Sequence, residues 1–174
     1  MKKVVVVSSA SGNGKTTVGR ALAERLEVPF HELDALHHGP NWAEPELEDF
    51  RARVEPIVES EAWVIDGAYR GKLGDLVLEG ADTVVWLDLP FRVWLPRLVR
   101  RSARRVVRRE ELWNGNRERL RDVLHPQNSV VIYALRKYRR QRRAYASELM
   151  RFPLVRLCTQ GEVDDFLGSA EPAT

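Results

Sequence analysis

Apolar positions along this chain follow two rhythms that replace one another in order. "KKVVVV" is a continuous apolar run of the kind a doubly covered strand shows, whereas in "GKTTVGRALAERLEV" the apolar residues recur at Val18, Leu22 and Leu26, the spacing of a helix. "VPFHELD" predicts a second short strand. Residues 46–60 place Leu47, Phe50, Val54 and Ile57 on one helix face, entered through Pro45 and kinked at Pro56. "AWVIDG", "TVVWLDL" and "LVRLC" predict strands three, four and five, each bounded by Gly, Pro or charged residues. Strands alternating with helices imply an α/β fold with right-handed crossovers, a parallel sheet, and ligands at the carboxyl ends of the strands.

The pattern loosens between strands four and five. Pro90 opens a helix that Pro96 bends or delays, and residues 102–126, carrying "WNGN" and "HPQN", read as a lid-like excursion from the core. From Asn128 to about Met150 a longer helix is expected, with Val131, Leu135, Tyr138, Tyr145 and Leu149 as its inward stripe. Residues 169–174 are expected to fray. With 174 residues, 44% of them apolar, and no internal repeat, residues 1–174 read as one domain. The apolar run Val4 to Val7 is too short for a signal-peptide core, and no stretch is long enough to span a bilayer. A single cysteine, Cys158, makes no internal disulfide, so a cytoplasmic location is expected.

The net charge of +3 conceals an asymmetry: residues 44–61 are rich in glutamate, while Arg92 to Arg143 contains sixteen arginines and Lys137 against four acidic residues. A polyanion, phosphate first among the candidates, is the expected partner of that half.

"SSASGNGKTT" stands directly behind the first strand and opens the first helix. In that setting Gly12 and Gly14 let the backbone curl so that successive N–H groups point inward, and the helix N-terminus adds its positive dipole end. Ser11, Gly12, Asn13, Gly14, Lys15, Thr16 and Thr17 are therefore the expected nucleotide-binding residues, with Lys15 reaching the β and γ phosphates of ATP and the Thr16 hydroxyl on Mg²⁺. The full phosphate-loop pattern asks for Gly where this chain has Ser9, so the first loop residue is expected to occupy an ordinary backbone region.

On these residues the chain resembles the adenylate-kinase-like branch of the P-loop kinases. "IDGAYR" is similar to that family's third-strand motif, which implies Asp66 as the carboxylate near the metal and Arg70 as a ligand of an acceptor-side phosphate. "LPFRVWLPRLVRR" resembles the entry to its lid, where a Pro is followed seven and eleven residues later by arginines, here Arg97 and Arg101. The resemblance implies a three-layer P-loop sandwich with sheet order 2-3-1-4-5 and a helical lid insertion. Across nearly the whole chain the likeness is closest to the DNA topology modulation protein group, through "LDALHHGPNW", "WVIDGAYRGKLGDLVLEGADTVVWLDLP" and the arginine-rich helix.

Further candidates follow from the chemistry. Phosphoryl transfer spreads negative charge that arginine forks stabilise. Arg139 and Arg143 share a helix face, and Arg142 falls on the apolar stripe, where it either snorkels outward or, the preferred reading, points at phosphate. Asp88 is the second choice for the metal carboxylate. Asp34, after strand two, is placed to orient an acceptor hydroxyl and take its proton, as the corresponding aspartate is expected to do in gluconate-kinase-like and shikimate-kinase-like enzymes. Residues 35–62 would then form an acceptor-side flap. His31, His37 and His38 drawn as a metal cluster with Asp34 are the weaker alternative. The sequence thus favours an ATP- and Mg²⁺-dependent kinase acting on a small-molecule or nucleotide acceptor, monomeric or homodimeric, with no membrane partner. The alternative is an ATP-gated nucleic-acid-binding regulator.

Overall fold

The computed structural model describes residues 1–117 and 130–172. Five parallel strands form one sheet in the order β2-β3-β1-β4-β5: β1 (Lys3–Ser8), β2 (Phe30–Glu32), β3 (Trp63–Asp66), β4 (Thr83–Leu87) and β5 (Leu154–Leu157). This is the order the sequence resemblance implies. Central β1 is valine on both faces because both faces are covered. Val5 and Val7 join a core with Trp63, Trp86 and Phe50, while Val4 and Val6 join one with Leu22, Leu26 and Val163.

The helices are α1 (Lys15–Leu26), α2 (Leu33–His37), α3 (Leu47–Glu59), α4 (Arg70–Leu73), α5 (Leu76–Glu79), α6 (Phe91–Arg108), α7 (Val130–Glu148) and α8 (Gln160–Ser169). α1 and α8 pack on one side of the sheet. α3 and α5 pack on the other, where Tyr145 of α7 and Phe152 also reach the core.

Several expectations need correction. Neither Pro56 nor Pro96 interrupts its helix. Both prolines are exposed, as are Ala52 and Arg92 four residues before them, so the carbonyls that lose a donor face water. The inward face of α3 is Phe50, Val54 and Val58, and Leu47 is 51% exposed in its first turn. On α7 the stripe runs through Ala134, 3% exposed, rather than Leu135, 42% exposed. Ala134 lets α7 approach Trp94 and Leu98 of α6 closely. Residues 102–108 are the last two turns of α6, so the excursion expected from 102 begins after Arg108. Its stretch 118–126, and the tail residues 173 and 174, lie outside the described residues.

Candidate active site

The loop from Ser9 to Gly14 lies between the carboxyl ends of β1 and β4 and the start of α1. Gly12 and Gly14 have φ of +91° and +89°, in the left-handed region that L side chains avoid. They differ in surroundings. A Cβ on Gly12 would lie 2.5 Å from the Trp94 carbonyl oxygen of α6, whereas one on Gly14, the N-cap of α1, would meet nothing within 4 Å. Gly12 thus lets α6 close onto the loop. Ser9 is not among the residues of positive φ, in keeping with an ordinary backbone region there. The Asn13 side chain is buried and structural: Nδ2 donates to the Ala10 carbonyl at 2.9 Å and Oδ1 accepts from the Leu89 N–H at 3.2 Å. The Thr17 side chain is exposed.

Three polar groups converge at the head of α1. Lys15 Nζ donates to Asp66 Oδ1 at 2.8 Å, and Thr16 Oγ1 donates to Asp66 Oδ2 at 2.5 Å. Burial works against the Lys15 ammonium, but the carboxylates of Asp66 and Asp34 outweigh it and hold its pKa above 10.5. Lys15 is therefore a fixed cation. Asp88 has other partners: it accepts from Ser9, Arg142 and Arg156. Arg142, expected to point at phosphate, instead donates its Nε to both Asp88 oxygens at 3.0 Å, because the apolar stripe of α7 carries it over the end of β4.

Two cavities meet at this point. The smaller, about 80 Å³, is lined by loop residues Ser11 to Asn13 with Lys15, Thr16, Asp34, Arg101, Arg105 and Trp113. The larger, about 670 Å³, lies under α7 and is lined by Lys15, Asp34, Tyr69, Arg70, Lys137 and Gln141, among others. Ser8, Ala10, Ser11, Lys15 and Asp34 belong to both. Arg101 thus faces the loop; Arg97, one turn earlier, donates to Gln160 Oε1 of α8 at 2.9 Å. The chamber-facing residues of α7 are Tyr133, Ala134, Lys137, Gln141, Tyr145 and Glu148. Arg139 and Arg143 each stand two residues, about 200°, past one of them. Both are exposed and line neither cavity.

Beside Asp34, Tyr69 holds a left-handed conformation at φ +46° and donates its hydroxyl to Asp34 Oδ1 at 2.6 Å. Burial and the Asp34 charge both push the phenol pKa up, so Tyr69 remains a donor throughout the working range. Behind it His37, 3% exposed, packs against Tyr69 and Phe50, with ring centroids 4.6 and 5.0 Å away. Burial holds the His37 pKa below 6.5, so the imidazole is neutral at pH 7 and its 3.8 Å approach to Glu44 is no ion pair there. Among the described residues no three metal-ligating side chains gather, and His38 stacks on Trp113 instead. Arg70 is already partnered, by Asp75 at 2.6 Å and by Glu148, and Asp75 also takes Arg151. Burial opposes the Arg70 charge, but these hydrogen bonds more than restore it.

Residues 38–42 and 114–116 touch. Asn116 donates to the Gly39 carbonyl at 2.9 Å and accepts from the Trp42 N–H at 2.9 Å, and Asn114 donates to the His38 carbonyl at 2.5 Å. Sequence reasoning did not single out Arg105, Tyr69 as partner of Asp34, or this clasp. Arg105 was findable, since it follows Arg101 by one helical turn. The asparagine contacts span more than seventy residues and carry no local signal.

No family model matches the chain. It is similar to the shikimate kinase of Ruegeria pomeroyi, 30% identical over 122 residues, a match that spans 62% of this chain and 63% of that protein. In structure it is similar to a shikimate kinase from Acinetobacter baumannii in complex with shikimate, with a TM-score of 0.57 and 21% identity over 97% of this chain and 90% of the other. A gluconokinase from Sinorhizobium meliloti gives a TM-score of 0.55 at 21% identity, covering 97% of this chain and 89% of the other. These likenesses show the fold alone, a five-stranded parallel sheet covered by helices on both faces.

Proposed function

We propose that the chain is an ATP- and Mg²⁺-dependent kinase that moves the γ-phosphoryl group to a hydroxyl of a small molecule held in the 670 Å³ chamber. The observation that carries this reading is the junction of the two cavities, where the phosphate-loop cation Lys15 and the carboxylate Asp34 line both. A donor phosphate in the small cavity and an acceptor in the large one would meet between those two groups. The similar shikimate kinases and the gluconokinase support the same class of transfer.

Thr16 and Asp66 offer the hard oxygen donors that Mg²⁺ takes and would hold it; bound there, the ion supplies charge neutralisation between phosphate oxygens. Lys15 stays ionised in the site, and Arg101 and Arg105 bring guanidinium groups to the other wall of the small cavity. Such preplaced cations stabilise the charge that spreads over the transferring group. Tyr69 occupies Asp34 Oδ1 and orients the carboxylate, so Oδ2 is the atom assigned to the acceptor's proton. The clasp of Asn114 and Asn116 on residues 38–42 holds Trp113 against the small cavity, where it would help to keep water from the transferring group.

Arg70 bears on the acceptor class. With Asp75 and Glu148 already on it, a phosphate-bearing acceptor would have to displace a carboxylate, which favours an acceptor without phosphate over a nucleoside monophosphate. Arg139 and Arg143 receive no catalytic role in this reading. The regulator reading has less support, since Tyr138 and Tyr145 pack on Trp94 and Trp86 rather than standing out as stacking platforms. Labelled ATP incubated with the protein and a panel of hydroxy acids, sugars, nucleosides and nucleoside monophosphates tests the proposal. Acceptor-dependent transfer to an unphosphorylated hydroxyl compound is the expected result, and transfer at the level of hydrolysis across the panel refutes it.

A further inference from the structure

The phosphate loop begins on Ser9, where the motif ordinarily has glycine, and that serine is 1% exposed with a hydroxyl that both donates and accepts. Its Oγ donates to Asp88 Oδ1 at 2.9 Å and accepts from Trp86 Nε1 at 2.8 Å. Asp88, whose side chain is wholly buried, also takes Arg142 Nε of α7 on both oxygens at 3.0 Å and Arg156 of β5 at 3.1 Å through Nε. The Arg156 guanidinium lies over the Trp86 ring, 4.3 Å from its centroid, which closes the network on itself. Two further hydrogen bonds from main-chain N–H groups run alongside: Ser9 N–H to the Leu87 carbonyl at 3.3 Å, and Leu89 N–H to the Asn13 side-chain Oδ1 at 3.2 Å. The loop is therefore tied at both ends to residues 87–89, and those are held in turn by arginines from two other elements.

We infer that Ser9 and Asp88 are positioning residues for the nucleotide: their hydrogen bond, anchored by Arg142 and Arg156, holds the phosphate loop in its binding geometry. This rests on the kinase reading of the same loop. A glycine at position 9 would leave the loop's start free to turn, whereas the serine fixes it by side-chain bonding. Asp88 is thereby a structural counter-ion to two arginines and takes no part in holding metal. The tie also joins α7 to the loop through a single carboxylate, so a shift of α7 is felt where the phosphates bind.

If the tie keeps nearly all molecules in the binding geometry, losing it lowers apparent affinity in proportion to the fraction that remains competent. A tenth remaining competent gives about a tenfold weaker Kd, or ~1.4 kcal/mol, within the net worth of one buried hydrogen bond. The experiment is calorimetric titration of the full chain with Mg·ADP, on wild type, Ser9→Ala, Ser9→Gly, Asp88→Asn, the Ser9→Ala/Asp88→Asn double variant and Lys15→Ala, with thermal midpoints recorded beside each. The expected result is about tenfold weaker binding in both Ser9 variants and in Asp88→Asn, with the double variant no weaker than Asp88→Asn alone. Ser9→Gly is the sharpest arm, because it restores the usual motif and is nonetheless expected to bind less well. A merely structural role would lower the midpoint and leave Kd unchanged in the folded protein, and that outcome overturns the inference, as does additivity in the double variant. Should Asp88→Asn fail to fold, the two Ser9 variants decide alone. If Lys15→Ala weakens binding while the Ser9 variants do not, the inference falls and the kinase reading stands. If Lys15→Ala also binds like wild type, both fall.

Discussion

Replacing Gly12 by alanine separates two reasons for having glycine in a phosphate loop. At φ +91° an L residue costs about 1–2 kcal/mol from its own backbone. The added Cβ would also stand 2.5 Å from the Trp94 carbonyl oxygen and 2.9 Å from Leu98 Cβ, atoms belonging to a helix backbone and a buried side chain that cannot rotate away. Overpacking of that kind costs about 1–3 kcal/mol, so Gly12→Ala is expected to lose about 2–5 kcal/mol in total. Gly14→Ala meets the same backbone penalty at φ +89° with open space around it, and is expected to lose only about 1–2 kcal/mol. Urea unfolding of the two variants at 25 °C, fitted with a common slope, gives the difference directly. Because Gly12 is where α6 closes onto the loop, Gly12→Ala should also displace Arg101 and weaken Mg·ADP binding beyond the effect of Gly14→Ala. Equal losses of stability in the two variants would refute the close-approach account.

Lys15→Ala should reduce ATP turnover by about two to three orders of magnitude while the thermal midpoint moves by only a few degrees, because Thr16 still bonds Asp66; unchanged turnover would remove the residue from the site. Glu148→Gln, by freeing one side of Arg70, should admit phosphate-bearing compounds: AMP binding, read by calorimetry, is expected to strengthen about tenfold, and no change would show that Glu148 does not set acceptor charge. His37 titrates in the unfolded chain near 6.5 and lower in the fold, so the unfolded state binds more protons just below that pH. Stability should therefore be full above pH 6.5 and decline as pH falls through the window below it. His31, also lowered by burial, adds to the decline, so urea midpoints at two pH values should differ less in His37→Phe than in wild type.

What the sequence disclosed was what local chemistry encodes. The run Val4 to Val7, the loop glycines and the Asp66–Gly67 pair placed the sheet, the cradle and the carboxylate opposite Thr16, because each depends on backbone period or loop geometry within a few residues. The arginines were harder to read. Arg101 could be located by its helix, but whether Arg70 or Arg142 meets a substrate or a carboxylate depends on Glu148 and Asp88, which arrive from distant parts of the chain. Arg139 and Arg143 share a face, as expected, yet the rotation of α7 is set by Ala134 packing on Trp94, and that turns the face outward. The departure of Ser9 from the glycine of the motif acquires a reason only when Trp86 and Asp88 are seen beside it.

The central claim is that the amides opening α1, with Lys15, Thr16 and Asp66, grip the phosphates of ATP. A crystal structure with Mg²⁺ and a non-hydrolysable ATP analogue tests it most directly. The account predicts the β and γ phosphates in the small cavity, with the ion on Thr16 and Asp66 and the Lys15 ammonium turned from Asp66 to the phosphates. Analogue bound elsewhere, with the Lys15–Asp66 pair intact and the loop empty, would contradict it.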